Sequence, residues 1–347
     1  MNKAQQSLID YIGETPMVKL HELSETYGTN VYAKLEGSNP GLSVKDRTVL
    51  NMIDKAEKEG KLTKGVSTLI EASSGNTGFS LAMICAIRGY KCVVCIKDKA
   101  SAEKINAIKA LGAKIVLCPS GVKADDPKSY YKSAERLSKI IDNAYYINQN
   151  YNLDNLDAHY ATTGPEIWQQ TEGKVTHLIS PASTGGTVSG ISKYLKEKNE
   201  NIDVTAVDSE GSVLKHYHET GEYDTSLKRK TMLEGVGKDI IPPNVLMKSI
   251  DRFIKIDDKE SVKNILNLAR KEGIMAGGSS GATIEGLKAI APELNKNHTV
   301  VLLLSDHGSK YLSKFYDFDW QKENGYSSEK EDELTTEINE FYFNNNK

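Results

Sequence analysis

Lys45 lies in the run Ser38-Asn39-Pro40-Gly41-Leu42-Ser43-Val44-Lys45-Asp46-Arg47. A lysine that opens a helix behind an Asn-Pro-Gly turn is a candidate to form a Schiff base with a carbonyl group. Alone it would read as a solvated charge beside Asp46 and Arg47. Three downstream runs change that reading: Ser73-Ser74-Gly75-Asn76-Thr77-Gly78, Ser183-Thr184-Gly185-Gly186-Thr187, and Gly277-Gly278-Ser279-Ser280-Gly281. Gly185-Gly186-Thr187 follows a strand-like run and opens a helix-like one, so its N–H groups and the helix dipole suit a phosphate. It lacks the Gly-Lys-Ser/Thr of a nucleotide loop and the full Gly-x-Gly-x-x-Gly of dinucleotide folds. The turn at 73–78 offers hydroxyls, N–H groups and one amide, a set better suited to a carboxylate than to a metal. One lysine and three such loops can hold a flat, phosphorylated aldehyde.

These residues must be positioned by the elements around them. Strand-like runs at 31–35, 68–71, 92–96, 114–118, 177–180, 203–207 and 299–304 alternate with helix-like runs at 44–59, 79–88, 102–111, 130–141, a run ending at 196, and 261–272. The alternation predicts an α/β protein with two open domains of mostly parallel sheet, helices on both faces, and the loops at the carboxyl ends of the strands. Residues 39–150 are expected to form a smaller, mobile, substrate-binding lobe. Residues 8–38 and 151–320 would form a larger cofactor-binding domain, and 321–347 an acidic appendix. The middle of that appendix, with Leu334, Ile338, Phe341 and Tyr342 on one side, predicts a short helix.

A net charge of −3 over 347 residues leaves no basic surplus for a nucleic-acid partner. No apolar run is long enough to span a bilayer, and the first residues lack the apolar core of a signal peptide. No membrane association is therefore expected, and the expected location is cytoplasmic. Cys92 and Cys95 have the spacing of a metal or redox pair but fall in an apolar strand, where residues three apart face opposite ways. With Cys85 and Cys118 they read as buried free thiols, and no metal site is expected. His216 and His218 could share a strand face, a weak metal site that reads better as a solvated stretch.

Taken together, Lys45 and the three loops resemble the fold type II pyridoxal-phosphate enzymes, specifically the cysteine synthase and cystathionine β-synthase family. The resemblance runs from about Leu8 to Trp320. It includes Ile12-Gly13-Glu14-Thr15-Pro16 and His159-Tyr160-Ala161-Thr162-Thr163-Gly164-Pro165-Glu166-Ile167-Trp168. It implies pyridoxal 5′-phosphate as cofactor, small amino-acid substrates and a homodimer. Lys45 would carry the cofactor as an aldimine and act as the base at the substrate Cα. Asn76 would bond the ring oxygen. Ser73, Ser74, Asn76 and Thr77 would hold the substrate carboxylate, with Gln149 assisting. Ser183, Thr184, Gly185, Gly186 and Thr187 would cradle the phosphate, and Ser279 would face the pyridine nitrogen. A neutral hydroxyl there makes the ring a weaker electron sink than an aspartate would, which favours β-elimination to an aminoacrylate followed by addition of a nucleophile.

Among relatives, Glu234-Gly235-Val236-Gly237-Lys238-Asp239 and the end Ser305-Asp306-His307-Gly308 look more like cystathionine β-synthase, which would make serine and homocysteine the substrates. Glu234 and Asp239 would stand at the mouth of the active site, or be ordinary loop and cap residues. Three positions depart from the pattern: Ser183 for the usual first glycine of the phosphate loop, Leu42 for a glycine or small polar residue, and Lys238 for the tyrosine of some animal relatives. They leave the second substrate open. The alternatives are a cysteine synthase, a cysteine lyase releasing hydrogen sulfide and forming serine or lanthionine, a diaminopropionate-type synthase using an amine, and a non-catalytic cofactor-binding partner protein.

Overall fold

The computed structural model describes residues 4–73, 75–229, 231–326 and 341. Ten strands among them form two sheets. β1 (Met17–Lys19), β2 (Asn30–Leu35), β7 (His177–Pro181), β8 (Asp203–Ser209), β9 (Arg252–Ile256) and β10 (Thr299–Leu304) build a six-stranded sheet in the order β1-β2-β10-β7-β8-β9. Only the β1–β2 pair is antiparallel; the others are parallel. β3 (Thr68–Ala72), β4 (Lys91–Lys97), β5 (Lys114–Cys118) and β6 (Ala144–Tyr146) form a parallel sheet in the order β5-β4-β3-β6.

Parallel strands need both faces covered, and the central strands are correspondingly apolar. β10, Thr-Val-Val-Leu-Leu-Leu, is buried from Val300 onward. Its side chains divide by parity: Val300, Leu302 and Leu304 enter a core that includes Val262 and Ile265 of helix Asp258–Glu272 and Leu287 of helix Gly278–Ile290. Val301 and Leu303 enter another with Val188 and Ile191 of helix Gly186–Lys198. The smaller sheet is sandwiched likewise. Cys92 belongs to the core shared with helices Lys45–Lys58 and Asn76–Arg88, and Cys95 to the core on the opposite face. All four cysteines are buried and free.

The strand orders decide where ligands can bind. In the larger sheet the chain runs outward from β7 to β9 and then returns to place β10 on the other side of β7, against β2. In the smaller sheet β3, β4 and β5 run one way and β6 lies on the other side of β3. Each sheet therefore has a reversal point, where the loops beyond neighbouring strands part and leave a crevice. Ser73–Thr77 follows β3 and Gln149 follows β6; Ser183–Thr187 follows β7 and Asp306 follows β10.

The expected long strands and helices occur within a few residues of their expected bounds. Short β1, β6 and β9 were not anticipated, nor were helices Gly278–Ile290, which starts inside the expected loop at 277–281, His21–Tyr27, Phe318–Glu323, Asp154–Ala161, Thr163–Gln170 and Leu214–Thr220. His216 and His218 lie on the last of these, a helix rather than a strand, so a two-residue spacing does not put them on one face. Toward the C-terminus, Gln321 is fully buried and donates to the Phe315 carbonyl at 2.7 Å, and Tyr326 stacks on Trp320. Leu334, Ile338 and Tyr342, and with them the proposed apolar stripe, lie outside the described residues. Among the described residues no helix is long and apolar enough to cross a membrane.

Candidate active site

Lys45 is the first residue of helix Lys45–Lys58, whose Val49, Met52, Ile53 and Ala56 are buried at helical spacing. The preceding turn fixes where the helix starts. Gly41 N–H donates to Asp46 Oδ2 at 2.5 Å, and a methyl group on Gly41 would come within 2.2 Å of the other carboxylate oxygen, so only glycine fits. Leu42 holds a left-handed φ of 59°, which explains why a glycine would be easier there. The turn is sewn to the end of β10: Val44 N–H donates to the Ser305 carbonyl at 2.8 Å and His307 N–H to the Leu42 carbonyl at 3.1 Å.

Beneath the helix lies a buried network of four charges. Arg47 bonds both oxygens of Glu36, at 2.7 and 2.9 Å, and both oxygens of Glu166, at 2.5 and 2.7 Å. Lys34 joins Glu166 at 2.6 Å and the Thr15 carbonyl at 2.7 Å. The ion pairs hold the carboxyls of Glu36 and Glu166 below the usual carboxylate range, against the opposing and individually larger effect of burial. Thr15 and Glu166 are thereby explained: they brace the element that carries Lys45.

The Lys45 side chain lines a cavity together with Asn76, Ser183, Thr184, Gly185 and Thr187. Ser279, Glu234, Ser305 and Asp306 complete its walls. Burial lowers the Lys45 amine to about 8; the charge of Asp306 opposes the shift and that of Lys238 adds to it. At pH 7 roughly a tenth of such an amine is neutral, several hundred times more than for a solvated lysine. Gly186, behind the wall, begins helix Gly186–Lys198, and a methyl there would meet Asn155 Oδ1 at 2.1 Å. Gly185 needs its φ of 88° and would press a methyl to 2.3 Å from Val245.

The second loop is arranged less uniformly than the sequence implied. Ser73 Oγ accepts from Gly75 N–H at 3.2 Å and Gly78 N–H at 3.0 Å, so it shapes the turn from within. Thr77 Oγ1 donates to Gln149 Oε1 at 2.7 Å, joining the loops that follow β3 and β6. Neither Thr77 nor Gln149 lines the cavity with Lys45, and Ser74 lies outside the described residues. Asp239 stands apart, in an adjoining recess that also reaches Ser183, Glu234 and Gly235.

Three groups were missed. His159 Nε2 lies 3.1 Å from Thr48 Oγ1 and 3.2 Å from Thr187 Oγ1, linking the lysine helix to the glycine-rich loop. Burial, with the charges of Lys45 and Arg47, lowers its pKa well below the usual value, so it is neutral. Asp306 Oδ2 accepts from Asn76 Nδ2 at 2.7 Å and Tyr311 Oη at 2.6 Å, while Oδ1 is buried without a partner. Lys310 Nζ donates to Asn76 Oδ1 at 2.8 Å and to the Gly41 carbonyl at 2.7 Å. A donor-only ammonium and an acceptor-only carboxylate leave the Asn76 amide one orientation. Asp306 follows a strand just as Ser183 does, and that position was the available signal. Among the described residues no cluster of three or more His, Cys, Asp or Glu could hold a metal.

A lysine amine at about 8, a helix N-terminus with a left-handed glycine, an oriented amide and a buried hydroxyl, Ser279, share one cavity. Those donors fit a phosphorylated pyridine aldehyde, and with the two reversal-point sheets they define an enzyme of fold type II. The chain belongs to the pyridoxal-phosphate dependent enzyme family, whose model matches residues 8–306. It is 41% identical over 330 residues to a cystathionine β-synthase of Apis mellifera, covering 93% of this chain and 64% of that protein. The chain thus spans just under two thirds of that relative. A cysteine synthase of Staphylococcus aureus is 39% identical, over 91% of this chain and 99% of its own length. Among solved structures, a hydrogen sulfide-producing enzyme from Fusobacterium nucleatum matches with a TM-score of 0.81 at 36% identity, over 89% of this chain and all of that one. An O-ureido-L-serine synthase matches with a TM-score of 0.85 at 29% identity, over 97% of this chain and all of that one.

Proposed function

We propose that this chain catalyses β-replacement on serine, an activated serine or cysteine, with serine and homocysteine as the first pair to test. The observation that carries the reading is the depressed Lys45 amine in one cavity with the glycine-rich helix terminus and Asn76. Pyridoxal phosphate, when bound, supplies the electron withdrawal that lets a Cβ substituent depart and a nucleophile enter. Lys45 holds it covalently, and its neutral Nζ then takes the Cα proton and returns it. The N–H groups at 183–187 bind phosphate through the terminus of helix Gly186–Lys198. The N–H groups that open helix Asn76–Arg88, with Thr77 and Gln149 behind them, receive the substrate carboxylate. Ser279, a neutral group, serves the ring nitrogen. Residues 39–150 close over the donor and exclude water, in a homodimer working in the cytoplasm.

A cysteine lyase releasing hydrogen sulfide is the second reading, favoured by the likeness to the Fusobacterium enzyme along that enzyme's full length. Serine, O-acetylserine, O-phosphoserine and cysteine, each incubated with thiols and amines and read by mass spectrometry, separate the two and also the amine-using synthase. The expected product is cystathionine from serine and homocysteine. Absence of any β-substituted product from any donor would refute the proposal.

Lys310 tests the role of Asn76. Lys310→Met is expected to shift the absorbance of the bound cofactor and to weaken donor binding about tenfold, the effect of one lost charge-assisted bond. Lys310→Arg should restore part of both. An unchanged spectrum would show that Asn76 needs no orientation from Lys310.

A further inference from the structure

The Lys45 cavity opens past Ser183, Glu234 and Gly235 into a wider recess. Its walls come from both sheets' surroundings: Lys97, Tyr130 and Tyr131 from one, Arg229, Lys238 and Asp239 from the other. The two tyrosine rings lie 4.1 Å apart. Lys97 Nζ stands 5.0 Å from the ring centre of Tyr130, and Lys238 Nζ donates to Tyr131 Oη at 3.2 Å. Glu234 is already engaged, with Lys104 Nζ 2.6 Å from each of its oxygens. Asp239 is the carboxylate that remains against three cations.

Lys238 is half-buried, and its donor bond goes to a neutral phenol. An ammonium kept partly from water without an anion is costly, and an incoming carboxylate would offset that cost. Its charge is felt at Lys45, so it stands near the reacting end of the site, while the tyrosine rings offer apolar surface to a short carbon chain.

Building on the β-replacement reading, we propose that this recess is the second-substrate site and that Lys238 anchors the carboxylate of a small nucleophile, such as a mercapto acid or thiol amino acid. The nucleophile's sulfur forms the new bond to Cβ. The bond from Cβ to the departing group breaks first, and that group leaves with the proton Lys45 took from Cα; the proton that the incoming thiol sheds then passes to Lys45, which returns it to Cα.

Direct binding tests this without turnover. 3-Mercaptopropionate carries the thiol and carboxylate but no amine to react with the cofactor, and 2-mercaptoethanol lacks the carboxylate. Calorimetric titration of the holoenzyme should show 3-mercaptopropionate binding about tenfold more weakly to Lys238→Met, and within threefold of the original affinity to Lys238→Arg. The affinity for 2-mercaptoethanol should change less than twofold. Equal affinity of the acid for the original protein and Lys238→Met, or an equal loss for both thiols, would overturn the assignment. Should the acid bind in a Lys238-dependent way while no donor releases its β-substituent, the site stands and the β-replacement reading falls.

Discussion

Replacing Lys45 by alanine should lower turnover by about a thousandfold or more, because one substitution removes both the covalent anchor and the proton carrier. Borohydride treatment of the original protein followed by peptide mapping should place the cofactor on Lys45, and the variant should yield no such peptide. A label on any other lysine would end the assignment. The cofactor-free protein gives a second readout. With the Lys45 amine near 8, its modification by an amine-directed reagent should rise through a midpoint near pH 8, while solvated lysines rise above pH 10. A midpoint near 10 would mean that the cavity leaves the amine unchanged.

The second large effect is on stability. Arg47→Met should destabilise the fold by about 3–5 kcal/mol, since it strands Glu36, fully buried, and Glu166 without their shared cation. The sign with pH follows from the direction of the shifts. Both carboxyls are held below their usual range, so their contribution is present above the unfolded-chain value near pH 4.3 and is lost as pH falls through the folded values. In Arg47→Met that contribution is gone, and the gap between variant and original should narrow in acid. Urea unfolding at pH 7 and pH 4 measures both. A loss under 1 kcal/mol at pH 7 would mean that the network is not what braces the lysine helix.

The sequence carried the parts of this molecule that are local. β10 is legible because five consecutive apolar residues admit only a strand buried on both faces, and helix Lys45–Lys58 because its apolar residues recur every three to four positions. The lysine and the glycine-rich loops were legible because backbone geometry restricts which residues can stand there. What the sequence hid is pairing across distance. Nothing local says that Arg47 meets Glu166, 119 residues away, or that Lys310 meets Asn76, 234 residues away. Short β6 and β9 were invisible for a related reason. A three-residue strand has no period to read, and Arg252–Ile256 carries charges that resemble an exposed loop until β8 pairs with it. Ser73, assigned to the substrate carboxylate by resemblance, also shapes its own turn: its Oγ accepts from Gly75 and Gly78 N–H, a contact within the loop that residue type alone does not announce.

β10 lies between β2 and β7, so Asn30 near the start of the chain pairs beside Thr299 near its end. During synthesis at about 5–20 residues per second, some 15–55 s pass between the emergence of β2 and that of its inner neighbour. The four-stranded sheet, complete by Tyr146, can form long before then. Throughout that interval the backbone of Val44 lacks the Ser305 carbonyl, and Asn76 lacks Asp306 and Lys310. Until β10 emerges, the walls that Ser305 and Asp306 give the Lys45 cavity do not exist, so the complete cavity is the last part of the molecule that synthesis can supply.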